Sequence, residues 1–149
     1  MTPHIRIQCE AFDLNDEVEA LGHGRSDIGA VASFVGQVRG GEGLTALTIE
    51  HYPGMTEREI ARHVDDATRR WPLLGITVIH RIGRLLPGAP IVLVATAAAH
   101  RGPAFAACEF LMDYLKTRAP FWKQEERGDQ HTWVEARASD GEAARRWKP

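Results

Sequence analysis

One segment of the sequence is apolar on both faces, so it has to lie inside the folded protein. Residues 91–99 (IVLVATAAA) form the longest near-apolar run in the chain, interrupted only by Thr96. A membrane span needs about 20 such residues, and this run is less than half that length. The run therefore predicts a strand at the centre of a sheet, with other elements packed on both of its faces.

The rest of the chain alternates between strand and helix patterns. Residues 28–38 predict a buried strand, and residues 44–52 predict a second one. The two are expected to form a hairpin across the glycine-rich loop between them. Residues 76–82 and 131–137 also read as strands. Because strands come in pairs between helices, we expect the α+β class with a largely antiparallel sheet.

Two helices have recognisable start and stop signals. Asn15 is expected to cap a short first helix, which ends at Gly22. Thr56 and Glu59 have the capping-box spacing at the start of a second helix, and Pro72 ends it. The apolar face of that second helix carries Ile60, Val64, Ala67 and Trp71.

A third helix and the C-terminal segment follow the central strand. Pro103 suits the first turn of the helix, and Pro120 ends it. The side chains expected on its buried face are Phe105, Cys108, Met112 and Leu115. Residues 121–125 are expected to be extended or irregular. Ser139 and Glu142 have the spacing of a capping box for a last short helix.

Composition narrows the class of protein. The 149 residues carry a net charge of −2, so a general nucleic-acid binder is not favoured. The N-terminus shows no secretory signal, and two cysteines are too few for a disulfide framework. No long linker interrupts the chain. We therefore expect one cytoplasmic domain spanning residues 1–149.

Positive charge is sparse but gathers at the ends of predicted elements. Arg39 follows the first long strand, His100 and Arg101 follow the central strand, and Lys116 and Lys123 flank a proline. Such a set suits an anionic small molecule, for example a phosphate ester. Solvated surface charge would give the same pattern, and the pattern alone favours that alternative.

The two lysines are seven residues apart, on either side of Pro120. Because the proline breaks the helix, the chain can fold back and bring both amines into one pocket. Neighbouring ammonium groups lower each other's pKa, which would make one lysine usable as a base or nucleophile. In the alternative, Phe121 and Trp122 are core residues and both lysines are exposed.

Several segments resemble the large, catalytic subunit of molybdopterin synthase. The longest is MDYLKTRAPFWKQE (residues 112–125). The others occur in the order of that family: FVGQVR from residue 34, LTIEHYPGMTE from 47, VIHRIG from 78, AAHRGPAF from 98 and WVEARASD from 133. The matches span nearly the whole chain, and the longest one is specific.

The resemblance implies a hammerhead-type α+β fold and a homodimer within a heterotetramer. Each protomer would bind a small ubiquitin-like sulfur carrier ending in Gly-Gly. The implied reaction transfers two sulfurs from carrier thiocarboxylates into cyclic pyranopterin monophosphate, which forms the dithiolene of molybdopterin. The carrier supplies the sulfur, so no cofactor and no metal are expected. Nucleic acid and membrane are not expected partners.

The resemblance also implies site residues. Those matching the substrate site are Gln37, Val38, Arg39, His100, Arg101, Lys116, Lys123, Gln124 and Glu125. We assign Lys116 to the chemical step and Lys123 to stabilising negative charge and holding the carrier tail. Arg137 is expected to reach the pocket of the neighbouring protomer. Relatives often place a lysine at position 37, so Gln37 removes one cation here.

Two other functional classes compete with this one. A binding module would dock a ubiquitin-like partner without chemistry, but it would not need a cationic pocket. A phosphoryl-transfer enzyme would need a P-loop or an acidic metal motif, and the sequence contains neither.

Overall fold

Two four-stranded sheets and three helices make up the part of the chain that the computed structural model describes, residues 1–134 and 145–147. The strands are β1 (His4–Gln8), β2 (Ala30–Gln37), β3 (Ala46–His51), β4 (Leu73–Arg81), β5 (Gly83–Leu85), β6 (Pro90–Ala98), β7 (Phe121–Arg127) and β8 (Gln130–Trp133). The helices are α1 (Leu14–Gly22), α2 (Met55–Arg70) and α3 (Arg101–Thr117). Among the described strands every pairing is antiparallel except that of β1 with β4, which confirms the predicted class.

The first sheet has the strand order β1-β4-β6-β2. From Ile91 to Ala98 every residue of β6 is buried, as its two-sided apolar pattern predicts. The prediction for β2 was wrong in two respects. This strand lies at the edge of the sheet, with Val31 and Phe34 exposed, and it pairs with β6 rather than forming a hairpin with β3.

The second sheet has the order β5-β3-β7-β8. Its central strands β3 and β7 pair in a register that sets His51 opposite Phe121. The chain passes from the first sheet to the second between β4 and β5, where Gly83 has a φ of 90°, a value that suits glycine. The segment from residue 121, expected to be extended or irregular, is a regular strand.

The helix starts differ from the predicted ones. Asp13, not Asn15, caps α1 by accepting a hydrogen bond from the Asp16 backbone N–H at 3.0 Å. Gly54 holds the N-cap position of α2, where Glu57 Oε1 accepts its backbone N–H at 3.1 Å, so the box of Thr56 and Glu59 does not form.

The buried helix faces largely agree with prediction. Ile60, Val64 and Ala67 of α2 belong to the main core, whereas Phe105 of α3 is 64% exposed and was wrongly placed inside. The C-terminal Trp147 packs its ring against Trp71.

No helix within the described residues has the length and apolar character to span a bilayer. The predicted strand end at Arg137 and the box of Ser139 and Glu142 lie outside the described residues.

Candidate active site

A cavity of about 880 Å³ opens between the end of β2, the end of α3 and strand β7. The glycine-rich loop that follows β2 forms one wall. The end of that strand is fixed by Val38, whose N–H donates to Ala89 O at 2.9 Å and whose carbonyl accepts from Gly88 N at 2.7 Å. Both Gln37 and Arg39 line the cavity beside Val38, so these three predicted residues lie together.

The two lysines also meet in this cavity. Lys116 is the last residue but one of α3, and Lys123 is the third residue of β7. Three residues that include Pro120 separate the two elements and reverse the chain. Both lysines line the same space, which is the arrangement that the proline break allows.

Strand alternation brings further side chains to the cavity. Phe121, Lys123, Glu125 and Arg127 are spaced by two along β7, so their side chains share one face, and all four line the cavity. The sequence reasoning missed Arg127. Its spacing of four from Lys123 would have revealed it had residues 121–127 been taken as a strand.

The charges around the cavity are predominantly positive. Arg127 Nη1 lies 3.3 Å from Glu125 Oε1, so this carboxylate is already paired with a cation. Arg127 also donates from Nε to the backbone carbonyl of Glu42 at 3.1 Å, which ties the glycine-rich loop to β7. Among the described lining residues, the cations Arg39, Lys116, Lys123 and Arg127 outnumber the carboxylates of Glu42 and Glu125, so the cavity attracts anions.

An aromatic stack supports the cavity from below. The His80 imidazole lies 3.8 Å from the Phe121 ring, with 16° between the ring planes, and is only 4% exposed. Burial, with a smaller contribution from the positive charges of Lys123 and Lys116, lowers the pKa of His80 to about 3. The imidazole is therefore neutral at ordinary pH. Its Nδ1–H donates to the carbonyl of Arg81 at 2.8 Å.

Trp122 lines the cavity as well and connects it to the outer surface. Its indole Nε1 donates to Glu50 Oε2 at 3.0 Å, and its ring lies 4.6 Å from that of Tyr52. Tyr52 itself is 53% exposed. Phe121 and Trp122 are thus both among the residues that line the space shared by the two lysines.

The structure does not bring every predicted residue to this cavity. His100 and Arg101 lie at the N-terminal end of α3, so about 22 Å of helix axis separates Arg101 from Lys116. Gln124 points away from the cavity face of β7, and its Oε1 lies 3.3 Å from His131 Nδ1. Arg137 lies outside the described residues. Within the described part of a single chain, the predicted site is therefore divided between the two ends of α3.

Two other potentially reactive side chains, those of Cys108 and His63, are held by packing outside the cavity. Burial raises the pKa of the Cys108 thiol to about 11, which keeps it protonated within the α3 core. The ring of His63 stacks on Tyr114 with centroids 3.4 Å apart, and burial lowers the pKa of His63. Neither side chain belongs to the cavity.

Comparison with known proteins yields a consistent family. The family model described as MoaE protein matches residues 7–118. The chain is 56% identical to the molybdopterin synthase catalytic subunit of Mesorhizobium japonicum, across 99% of this chain and 95% of that relative. It is 53% identical to the catalytic subunit of Escherichia coli, across 96% of this chain and 97% of that relative. The solved structure of the molybdopterin biosynthesis MoaE protein from Burkholderia ambifaria has a TM-score of 0.85 and 53% identity, with 98% of both chains covered.

Proposed function

The chain belongs to the MoaE protein family, and we propose that its cationic cavity performs sulfur insertion into a pterin phosphate. The activity is that of a molybdopterin synthase catalytic subunit, a sulfur-transferring enzyme of molybdenum cofactor biosynthesis. The observation that carries the assignment of the site is that Lys116 and Lys123 line one anion-attracting cavity on either side of Pro120.

The proposed substrates are cyclic pyranopterin monophosphate and the thiocarboxylated tail of a small ubiquitin-like carrier. In each round, the carrier sulfur forms a C–S bond to a pterin side-chain carbon while a C–O bond at that carbon breaks, the displaced oxygen staying on the phosphate or leaving as water, and the C–S bond to the carrier carbonyl breaks. Water adds the oxygen that replaces sulfur on the carrier carbonyl, so the carrier ends as a carboxylate. Two carriers act in turn to complete the dithiolene. Because sulfur arrives on the carrier, we propose that the reaction needs no resident cofactor.

Lys116 is the proposed group for the chemical step. Its amine stands at the end of α3, where it can transfer a proton or attack the carrier carbonyl. Lys123 faces the same space and would stabilise the negative charge that develops on the carbonyl oxygen. The neutral, buried His80 beneath them adds no competing charge at ordinary pH.

Substrate anchoring falls to the other side of the cavity. Arg39 is exposed just after β2 and lines the cavity, where its guanidinium would bind the phosphate bidentately. Gln37 supplies a neutral hydrogen-bonding side chain where the family resemblance implies a cation, which would leave Arg39 with most of the electrostatic attraction. Val38 holds the backbone that carries both of them.

A second copy of the chain would complete the set of predicted residues. The residues that family resemblance assigns to the substrate site but that this cavity lacks, His100 and Arg101, lie at the far end of α3. Near that end Phe105 is exposed, and Val31 and Phe34 are exposed on the edge strand β2. We propose a homodimer in which one protomer offers His100, Arg101 and Arg137 to its partner's cavity, while the carrier binds at the other side, within the cytoplasm.

A reconstituted reaction tests the proposal. Purified protein, thiocarboxylated carrier and cyclic pyranopterin monophosphate are combined, and the pterin product is analysed by mass spectrometry. We expect a product that has gained two sulfurs. A pure binding module would instead bind the carrier in calorimetry and leave the pterin unchanged, and that result would refute the assigned chemistry.

A further inference from the structure

The hydroxyl of Thr56 reaches from the second helix to the chain reversal that brings the two lysines together. Thr56 is fully buried at the start of α2. Its Oγ1 donates to the carbonyl of Pro120 at 3.1 Å and accepts from the backbone N–H of Tyr52 at 3.0 Å. One side chain thus joins the end of β3, the start of α2 and the proline between Lys116 and Lys123.

The position of this hydroxyl follows from the pairing of β3 with β7. That pairing sets His51 opposite Phe121, so Tyr52 and Pro120 come next in register. Proline has no N–H, and the ladder cannot continue there with the usual reciprocal bonds. The Thr56 hydroxyl bridges the Tyr52 N–H and the Pro120 carbonyl, so both backbone groups are satisfied where direct pairing stops.

Few other hydrogen bonds hold this proline bend, which we define as residues 118–120. The N–H groups of Arg118 and Ala119 both donate to the carbonyl of Tyr114, at 2.9 and 3.2 Å, and therefore continue α3. The Phe121 N–H donates to Ala119 O at 2.8 Å, which is a contact internal to the turn. Within the described residues, the bond from Thr56 to Pro120 is the hydrogen bond that fixes the bend to a different element.

We propose that Thr56 is a positioning residue of the active site, whose hydroxyl sets the proline bend and with it the relative placement of Lys116 and Lys123. The proposal rests on the proposed function, because it concerns the same two lysines. Helix capping does not account for this threonine, since Gly54 and Glu57 form the start of α2. Its hydroxyl instead accepts from the Tyr52 N–H after β3 and donates to the Pro120 carbonyl in the bend.

The test compares substitutions that differ in the hydroxyl. Thr56→Val keeps the shape of the side chain and removes the hydroxyl, whereas Thr56→Ser keeps the hydroxyl. Thr96→Val is a matched control, since Thr96 is equally buried and its Oγ1 donates to the Ala104 carbonyl at 2.6 Å, near the other end of α3. Each variant is assayed with the thiocarboxylated carrier for the single-turnover rate at saturating pterin, for the half-saturating pterin concentration and for thermal stability.

We expect the saturated rate of Thr56→Val to fall about 10- to 100-fold, because small misplacements of reacting groups are costly. The half-saturating concentration should stay within about twofold, since Arg39 is untouched. Thr56→Ser should keep the wild-type rate within about twofold, and Thr96→Val should lose stability but not rate. A folded Thr56→Val protein with the wild-type rate would overturn the proposal, as would equal rate losses in Thr56→Ser or Thr96→Val.

If Thr56→Val does not fold, Thr56→Cys decides the question, because a thiol is a weaker donor and acceptor than a hydroxyl. Its rate should lie clearly below that of Thr56→Ser, and equal rates would contradict the role of the hydroxyl. Failure of the wild-type protein to produce the dithiolene would instead refute the proposed function, so the two failures are distinguishable.

Discussion

The imidazole of His80 and the phenyl ring of Phe121 stack at 3.8 Å although they belong to different sheets. His80 is on β4 of the first sheet, and Phe121 begins β7 of the second. The contact therefore joins the two sheets directly beneath the cavity that contains the lysines. It also requires a buried histidine to stay neutral next to two cations.

Protonation of His80 should make stability depend on pH. In the unfolded chain, His80 takes up a proton near its ordinary pKa of 6.5, whereas the folded protein resists this until a pKa of about 3. The unfolded state therefore binds more protons within this window, and stability falls as the pH drops below about 6.5. From about pH 6.5 to about pH 5, the loss attributable to this group is about 2 kcal/mol.

Urea unfolding of wild type and His80→Phe at several pH values measures this contribution. The phenylalanine retains the stack on Phe121 but cannot be protonated, so the free energy of unfolding of the variant should decline less on acidification. His63 is present in both proteins and cancels in the comparison. Identical pH slopes for the two proteins would show that His80 is not the group responsible.

Restoring a cation at position 37 should tighten substrate binding. Gln37 lines the cavity close to Arg39, and a lysine there would add charge where the phosphate is expected. We expect Gln37→Lys to lower the half-saturating concentration of the pterin about fivefold, equivalent to about 1 kcal/mol, and the gain should shrink as salt is added.

Two further variants control for unspecific charge effects at this site. Gln37→Glu should weaken binding by a similar factor, because it repels the phosphate. Gln130→Lys places the same new charge on the exposed strand β8, away from the cavity lining, and should leave binding unchanged. A similar gain from Gln130→Lys would mean that net charge, rather than the cavity, attracts the substrate.

The bond from Arg127 to the glycine-rich loop should control the mobility of that loop. Its Nε donates to the Glu42 carbonyl, and Glu42 has a φ of 54°, an unusual value for a residue other than glycine. Removing this support in Arg127→Ala should increase amide hydrogen exchange across residues 40–44 about tenfold, the factor expected for one lost hydrogen bond.

Arg84→Ala is the matched control for the loop. Arg84 forms an ion pair with Glu126 at 2.9 Å on the same sheet, and its described contacts do not include the loop. Its removal should leave exchange in residues 40–44 at the wild-type level. Unchanged exchange in Arg127→Ala would show that the loop is held by other contacts.

Much of the fold follows from local patterns in the sequence. The two-sided apolar run of β6 and the helical face of α2 are decided by burial within one element, and both were predicted correctly. The partner strand of β2 was not predicted correctly, because two apolar strands joined by a short loop also fit the sequence pattern of a hairpin. The pairing with β6, reached after more than 50 residues of intervening chain, is a tertiary choice that no local signal encodes.

The candidate site likewise contains features that local sequence indicates and features that only the structure shows. Pro120 allowed Lys116 and Lys123 to converge on one pocket but left two exposed lysines as an equally local alternative, and only the family resemblance favoured the pocket. Thr56 was read as a helix cap because its spacing from Glu59 fits one. Its actual hydrogen bond reaches Pro120, 64 residues further along the chain, and could not be seen without the structure.

The rate of sulfur transfer by Lys116→Ala tests the central claim most directly. Lys116 is exposed at the end of α3, so the variant should fold normally. Arg69→Ala on the outer face of α2, which removes an exposed ion pair to Asp65, provides the control. With thiocarboxylated carrier and cyclic pyranopterin monophosphate, we predict that Lys116→Ala binds the carrier but forms dithiolene at least about 100-fold more slowly than wild type and Arg69→Ala. A folded Lys116→Ala protein that forms dithiolene at the wild-type rate would contradict the account.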